Sequence, residues 1–125
     1  MQTILVADDE DFLRLLVTKT LSGYRVIEAR DGNEAIALVR EAAPDLLILD
    51  WMMPGRDGPA VLEVLRADPP TRELPILMVR AKLGASERAR LLGLGATACL
   101  SKPFGTAALR ASVEELLAKS AEPTR

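Results

Sequence analysis

Short apolar segments alternate with amphipathic helical segments along the whole chain, and this alternation is what most constrains the fold. Each of five runs of strand length is followed by a stretch whose apolar residues recur at helical spacing. Strands separated by helices pair in parallel through right-handed crossovers, so the pattern predicts an α/β sandwich of three layers. We expect five helices and five strands, the strands lying at residues 2–7, 24–29, 46–49, 74–79 and 97–100.

Capping and turn residues separate these segments. Pro59 suits the first turn of the third helix, while Ser86 is expected to cap the fourth helix and Thr106 the fifth. At 125 residues the chain has the length of one domain that needs no disulfide or metal to fold. We assign residues 1–120 to this domain and residues 121–125 to a polar tail or the start of a linker.

The composition excludes several kinds of site. The chain has no histidine and one cysteine, so a His/Cys metal site and an internal disulfide are excluded, and any bound metal must prefer oxygen ligands. Its 18 acidic and 16 basic residues are mixed along the chain, which argues against nucleic-acid binding by this segment. No apolar run approaches the roughly 20 residues that span a bilayer. We therefore expect a soluble, cytoplasmic protein without membrane contact.

The most apolar strand ends on a carboxylate. Residues 46–49 read Leu-Leu-Ile-Leu without alternation, which is typical of a central parallel strand covered on both faces. Asp50 follows directly, and the chain then turns at Pro54 and Gly55. Asp50 should thus lie at the carboxyl edge of the sheet, where open α/β sheets bind ligands.

Other charged residues follow neighbouring strands in the same way. They are Asp8 and Asp9 after the first strand, Arg80 after the fourth and Lys102 after the fifth. The carboxyl ends of parallel strands share one edge, so these side chains should converge on Asp50. Two carboxylates about 4 Å apart repel by about 4 kcal/mol at an effective dielectric of 20, so three need a cation, for which Mg²⁺ is suited. With that charge neutralised, a carboxylate can attack a phosphoryl group that a lysine stabilises. The chemistry indicated is phosphoryl transfer to an aspartate.

These motifs carry a family resemblance. They are Asp8-Asp9, Asp50 with the Met-Met-Pro-Gly that ends at Gly55, Asp57-Gly58, and Lys102-Pro103-Phe104. In this order the chain resembles, from about Thr3 to Lys119, the receiver domain of bacterial two-component response regulators. The resemblance implies a flavodoxin-like fold whose parallel strands lie in the order 2-1-3-4-5.

The resemblance also implies roles for individual residues. Asp50 would be the phosphoacceptor for a sensor histidine kinase or phosphotransfer protein. Asp8, Asp9, Asp50 and the main-chain carbonyl of Met52 would hold Mg²⁺, and Lys102 would contact the phosphoryl group through a loop whose Lys-Pro bond is cis in the family. Such a domain catalyses its own phosphorylation and dephosphorylation without turning over a separate substrate. It signals through the face of the fourth helix, fifth strand and fifth helix.

Two positions depart from the family pattern. Arg80 stands where the family usually has the Thr or Ser whose hydroxyl turns to the phosphoryl group, and Cys99 stands where it usually has Tyr or Phe. Loss of one hydrogen bond to a charged oxygen removes about 1.5 to 3 kcal/mol. Arg80 can replace that bond, pair with Asp50 before any phosphate arrives, or remain a surface arginine. Cys99 is expected to be a small buried side chain.

Three functions follow from these features. The first is a phosphorylation-dependent receiver that acts on a downstream protein or a fused output domain, and the sequence does not choose between a stand-alone protein and the front of a longer regulator. The second is a degenerate receiver that docks to partners independently of phosphorylation. The third is an aspartate-based phosphatase, which is disfavoured because Met52 occupies the usual place of the acid; turnover of a small phosphomonoester would support it.

Overall fold

The structure is a computed structural model that describes residues 1–81 and 83–121. Five parallel strands form one sheet in the order β2-β1-β3-β4-β5, and five α-helices connect and cover them. The three-layer fold and the strand order expected from the sequence are confirmed. None of the helices in the described ranges is long and apolar enough to cross a membrane.

In the described residues, β-strands and α-helices alternate along the chain. In chain order they are β1 (Thr3–Ala7), α1 (Asp11–Thr20), β2 (Arg25–Ala29), α2 (Gly32–Ala42), β3 (Leu46–Asp50), α3 (Gly58–Ala67), β4 (Ile76–Arg80), α4 (Ala85–Gly93), β5 (Ala98–Ser101) and α5 (Thr106–Ala121). A short 3-10 helix, Pro69–Thr71, follows α3.

The two faces of the sheet bury different helices. Leu47 and Leu49 of β3 point to the layer that contains α2, α3 and the single buried residue of α4, Leu91. Leu46 and Ile48 point to the layer that contains α1 and α5. Every residue of β3 is buried, as the uninterrupted apolar run predicts, because helices cover it on both sides.

Some local expectations were wrong. Ser86 does not cap α4, because it lies inside the helix. The helix begins at Ala85, and the residue at its N-cap is Gly84, which has no side chain to accept a hydrogen bond. Thr106 is the first residue of α5 itself. Strands β4 and β5 begin and end one to two residues later than their apolar runs, since the ladder between them pairs Arg80 with Ser101. Helix α5 runs through Ala121, and residues 122–125 of the predicted tail lie outside the described residues.

Hydrogen bonds between strand ends fix the carboxyl edge of the sheet. The amide of Trp51 donates to the carbonyl of Val79 at 3.0 Å, and the amide of Lys102 donates to the carbonyl of Arg80 at 2.9 Å. Between β1 and β2, the amide of Asp8 donates to the carbonyl of Ala29 at 3.1 Å. The backbone of Asp8, Trp51 and Lys102 is therefore held by the neighbouring strand, which positions the side chains at this edge.

Candidate functional site

Asp50 lies at the carboxyl end of the central strand, as the sequence predicts, and it is 5% exposed. The loop after it folds back at once, because the amide of Gly58 donates to the carbonyl of Trp51 at 2.8 Å. A Cβ on Gly58 would lie 2.6 Å from the Asp50 carbonyl oxygen, so the close approach requires glycine. Asp57 then begins α3 by accepting a hydrogen bond from the Ala60 amide at 3.0 Å.

Lys102 brings the two buried carboxylates together. Its Nζ lies 3.0 Å from Asp8 Oδ2 and 3.2 Å from Asp50 Oδ1, and Glu10 Oε1 is 3.9 Å away. Burial alone would lower the pKa of this amine, but the hydrogen bond to Asp8 and the charge of Asp50 outweigh it and raise the pKa. Lys102 is therefore a fixed cation. The Lys102–Pro103 peptide bond is cis.

Asp50 holds its proton more tightly than an ordinary aspartate. Burial raises its pKa from 3.8 to about 6, and the negative charge of Asp8 adds to this effect, while Lys102 acts against both. At neutral pH the carboxylate is ionised but poorly solvated. An ionised, desolvated carboxylate that faces a cleft is suited to nucleophilic attack.

The acidic residues after β1 offer an all-oxygen ligand set. Carboxylate oxygens of Asp8, Asp9 and Glu10 lie within 4.8 Å of one another, and the Asp8 side chain is buried while the other two are exposed. The Glu10 amide donates to Asp8 Oδ1 at 2.9 Å, which orients that carboxylate. Clustered carboxylates without a nitrogen or sulfur donor fit a hard divalent cation such as Mg²⁺. Glu10 was not assigned from the sequence, although its place in the acidic run 8–11 was a signal.

A cleft of about 460 Å³ opens beside these groups. It is lined by Asp9, Glu10, Asp50, Trp51, Met52, Arg80, Ala81 and Lys102. All the site residues selected from the sequence therefore lie at this cleft. Asp8 is the one that does not line it directly, since it is buried behind Lys102. The Met52 side chain is 68% exposed, whereas Met53 is buried in the core, so these neighbours face opposite environments.

Arg14 holds the main chain of the acidic loop after β1 and was not identified from the sequence. It is only 5% exposed, its Nη1 donates to the main-chain carbonyl of Asp8 at 2.7 Å, and its Nε donates to Glu28 at 3.1 Å. It also pairs with Asp11. Apolar periodicity carries no signal for a buried arginine whose three guanidinium nitrogens are each hydrogen-bonded.

Arg80 packs on an aromatic ring instead of on Asp50. Its guanidinium carbon lies 4.0 Å from the centre of the Trp51 ring, and that of Arg90 on α4 lies 5.2 Å from the same centre. In the part of the chain that the structure describes, Asp50 forms an ion pair with Lys102 but none with Arg80. Of the possibilities considered for Arg80, the structure shows neither an ion pair with Asp50 nor a side chain fully in solvent, but a contact with the Trp51 ring.

Cys99 is a buried component of the core beneath α4, as expected. It is 9% exposed, and burial raises the pKa of its thiol, against a smaller effect of the Arg88 charge. The Arg88 guanidinium donates to the Cys99 carbonyl at 3.2 Å, which links α4 to β5 through the main chain. The thiol is therefore protonated at neutral pH and packs as a small apolar group.

Comparisons with known proteins agree with this geometry. The chain matches the model of the response regulator receiver domain over residues 4–114. It is 41% identical over 119 residues to the phosphate regulon transcriptional regulatory protein PhoB of Rhizobium meliloti (strain 1021), covering 94% of this chain and 52% of PhoB. It is 42% identical over 115 residues to the response regulator PleD of Caulobacter vibrioides (strain NA1000 / CB15N), covering 90% of this chain and 25% of PleD. The chain therefore spans about half the length of PhoB and a quarter of that of PleD.

Solved structures show the same fold. The Vibrio cholerae chemotaxis protein CheY4 superposes with a TM-score of 0.87 at 31% identity, covering 93% of this chain and 98% of the other. The receiver domain of Francisella response regulator 1452 superposes with a TM-score of 0.90 at 28% identity, covering 96% and 99%. The family model spans both the acidic loop after β1 and the lysine after β5, and on this evidence the chain belongs to the response regulator receiver domain family of two-component signalling.

Proposed function

We propose that the chain accepts a phosphoryl group on Asp50 from a sensor histidine kinase or a phosphotransfer protein in the cytoplasm. The observation that carries this is the buried Asp50 carboxylate, which lies 3.2 Å from Lys102 Nζ and lines an open cleft with the acidic residues after β1. The nucleophile, the lysine cation and the carboxylates that would bind a metal lie at the same cleft. A structural salt bridge alone would not require the exposed carboxylates of Asp9 and Glu10 beside it.

The transfer is a displacement at phosphorus. An oxygen of the Asp50 carboxylate forms a bond to phosphorus, and the bond between phosphorus and the donor's leaving atom breaks, so its electron pair stays with the donor. The Lys102 ammonium binds the phosphoryl oxygens and takes up part of the charge that moves onto them. Hydrolysis of the aspartyl phosphate by water returns the carboxylate and releases inorganic phosphate. The domain thus catalyses its own phosphorylation and dephosphorylation.

The carboxylates at the carboxyl ends of β1 and β3 would hold the metal. Asp8, Asp9 and Asp50, with the Met52 carbonyl, would bind Mg²⁺, and Glu10 is close enough to take part through water. When bound, Mg²⁺ supplies positive charge that lets a phosphoryl group approach the carboxylates. The chain's own residues do the rest: Arg14 fixes the loop, and Lys102 keeps the two buried carboxylates side by side.

The phosphorylated domain would act on a downstream protein or a fused output domain through the face of α4, β5 and α5. PhoB is by name a transcriptional regulatory protein, and this chain corresponds to about half of it, which is compatible with an output domain that follows residues 121–125 in a longer protein. Residues 1–120 would then work as the receiver unit. No nucleic acid or membrane contact is assigned to this segment.

The test is incorporation of phosphate from a small donor. The protein is incubated with acetyl phosphate, with and without Mg²⁺, and its intact mass is recorded. We expect one added phosphoryl group that requires Mg²⁺ and is absent in Asp50→Asn. Glu41→Gln, which changes an exposed acid of α2, serves as the matched control and should be modified like wild type. No mass gain with Mg²⁺ present would overturn the proposal in favour of a phosphorylation-independent docking module.

A further inference from the structure

One tryptophan ring contacts two arginines from different elements. Arg80 ends β4 and Arg90 belongs to α4, and their guanidinium carbons lie 4.0 and 5.2 Å from the centre of the Trp51 ring. Trp51 is also the residue directly after Asp50. We propose that Arg80 has two alternative partners, the Trp51 ring at rest and the phosphoryl group on Asp50 after transfer, and that its exchange between them controls α4 through Arg90. This inference rests on the proposed phosphorylation of Asp50.

Arg80 is within the cleft where the phosphoryl group would sit. Its half-buried side chain lines that cleft together with Asp50 and Lys102, and it is not ion-paired with Asp50 in the described part of the chain. A guanidinium binds phosphate oxygens through two parallel charge-assisted hydrogen bonds, and these are stronger than the attraction of a partly exposed cation to an indole face. Transfer also brings roughly two negative charges to a position that carried one. Both effects draw Arg80 from the ring to the phosphoryl group.

Helix α4 depends on few contacts for its position. All of its residues are described, and of these Leu91 alone is buried. Two further contacts of α4 are the hydrogen bond from Arg88 to the Cys99 carbonyl and the stacking of Arg90 on Trp51. An element with so little buried surface responds to the gain or loss of a single contact. The contact of Arg90 with Trp51 is the one that reaches the residue next to the phosphoacceptor.

The direction of the change follows from charge. Arg80 lies 4.0 Å from the ring centre and Arg90 lies 5.2 Å from it, and two guanidinium groups near one ring repel each other. When Arg80 leaves, Arg90 is the remaining cation on this ring and moves closer, since cation–π attraction increases at shorter distance. Helix α4 is therefore drawn toward Trp51 and becomes more firmly held. The resting state is the looser of the two.

The test uses the full chain, isotope-labelled and treated with Mg²⁺ and excess acetyl phosphate. Side-chain resonances of Arg80 and Arg90 are assigned with Arg80→Lys and Arg90→Lys variants. Protons above an indole face are shifted upfield by the ring current. We expect phosphorylation to remove most of that shift from Arg80 and to increase it at Arg90. Amide exchange in α4 should slow by roughly three- to tenfold, the size expected for one strengthened cation–π contact.

Variants separate this mechanism from a general response to phosphorylation. Arg80→Gln removes the competing charge, so in the unphosphorylated protein α4 should already exchange as slowly as in the phosphorylated wild type. Phosphorylation should then produce no further slowing. Arg25→Gln, at an exposed position at the start of β2, is the matched control and should respond like wild type.

Two outcomes overturn the inference in distinguishable ways. If the intact mass shows full phosphorylation while the Arg80 protons keep their upfield shift, the exchange of partners is refuted and the phosphoacceptor role of Asp50 stands. The same conclusion follows if Arg80→Gln shows wild-type α4 exchange in both states. If no phosphoryl group is gained, the proposed function and this inference fail together.

Discussion

Lys102 Nζ lies 3.2 Å from Oδ1 of Asp50, although Asp50 ends β3, Lys102 follows β5, and β4 lies between these two strands in the sheet. The lysine reaches across the intervening strand and bonds Asp8 Oδ2 on the far side at 3.0 Å. One ammonium group thus compensates two buried carboxylates. Its loss should affect both the stability of the domain and its chemistry.

Lys102→Met should destabilise the metal-free domain by about 2 to 3 kcal/mol, because two buried carboxylates lose their cation. It should also abolish most phosphorylation by acetyl phosphate. Urea unfolding at pH 7.5 in EDTA, followed by Trp51 fluorescence, measures the first effect. Lys19→Met, at an exposed position of α1, is the control and should change stability by less than about 0.5 kcal/mol. Equal unfolding midpoints for the two variants would contradict the role of Lys102.

Asp50→Asn should stabilise the metal-free domain in a manner that depends on pH. The pKa of Asp50 is about 6 in the folded protein against 3.8 for an ordinary aspartate, so the folded state binds a proton more tightly. Above pH 6 the buried charge disfavours folding, and this penalty disappears as pH falls from 6 to 4. The stability advantage of Asn should therefore shrink by about 2 kcal/mol between pH 7.5 and pH 4.5.

Urea unfolding of both proteins at the two pH values, with EDTA present, checks this. Glu41→Gln serves as the control, since its carboxylate is exposed. An advantage of Asn that is the same at both pH values would show that Asp50 is not desolvated.

Gly58→Ala and Gly93→Ala should have opposite effects. A Cβ on Gly58 would meet the Asp50 carbonyl oxygen at 2.6 Å and Trp51 Cα at 2.9 Å, and both are main-chain atoms. We expect a loss of about 1 to 3 kcal/mol and slower phosphorylation, because the residue that carries the nucleophile must shift. A Cβ on Gly93 would meet nothing within 4 Å, so Ala there should stabilise α4 by about 0.4 to 1 kcal/mol. Thermal unfolding measures both, and equal changes would refute the steric argument.

Arg14→Met should raise the Mg²⁺ concentration needed for phosphorylation by several-fold. The substitution frees the Asp8 carbonyl, which now accepts from Arg14 at 2.7 Å, and so loosens the loop that carries the acidic residues. Stability should fall by about 2 to 4 kcal/mol, because Glu28 also loses a partner. Arg14→Lys should recover part of both losses. A Mg²⁺ titration of phosphorylation at saturating acetyl phosphate makes the comparison, and an unchanged midpoint in Arg14→Met would exclude a positioning role.

The sequence was sufficient for the architecture and for the composition of the cleft. Alternation of strands and helices predicts a parallel sheet, and in such a sheet residues that follow strands must meet at one edge. This is why Asp8, Asp50 and Lys102 could be selected before their distances were known. The family resemblance added the strand order, which alternation alone leaves open, and the structure and the comparisons confirm it.

The side-chain partners of the arginines could not be read in the same way. Arg14 and Arg80 both have long side chains whose charged ends lie far from the backbone position that periodicity describes. Arg14 is buried because three oxygen acceptors surround it, and Arg80 lies on Trp51 because that ring is next to it at the sheet edge. Met52 and Met53 differ for a related reason: they lie in the loop between β3 and α3, where neither the strand nor the helix period applies.

The slight burial of α4 also bears on how such a domain changes over evolutionary time. The groups proposed to carry out the chemistry lie at strand ends that the whole sheet holds in place, whereas α4 is anchored in the core by Leu91 alone among its residues. Substitutions on its outer surface, other than at Arg90, would therefore leave the sheet edge undisturbed. Under the proposed function, a lineage would exchange one downstream partner for another by altering this helix while Asp50 and Lys102 stay the same.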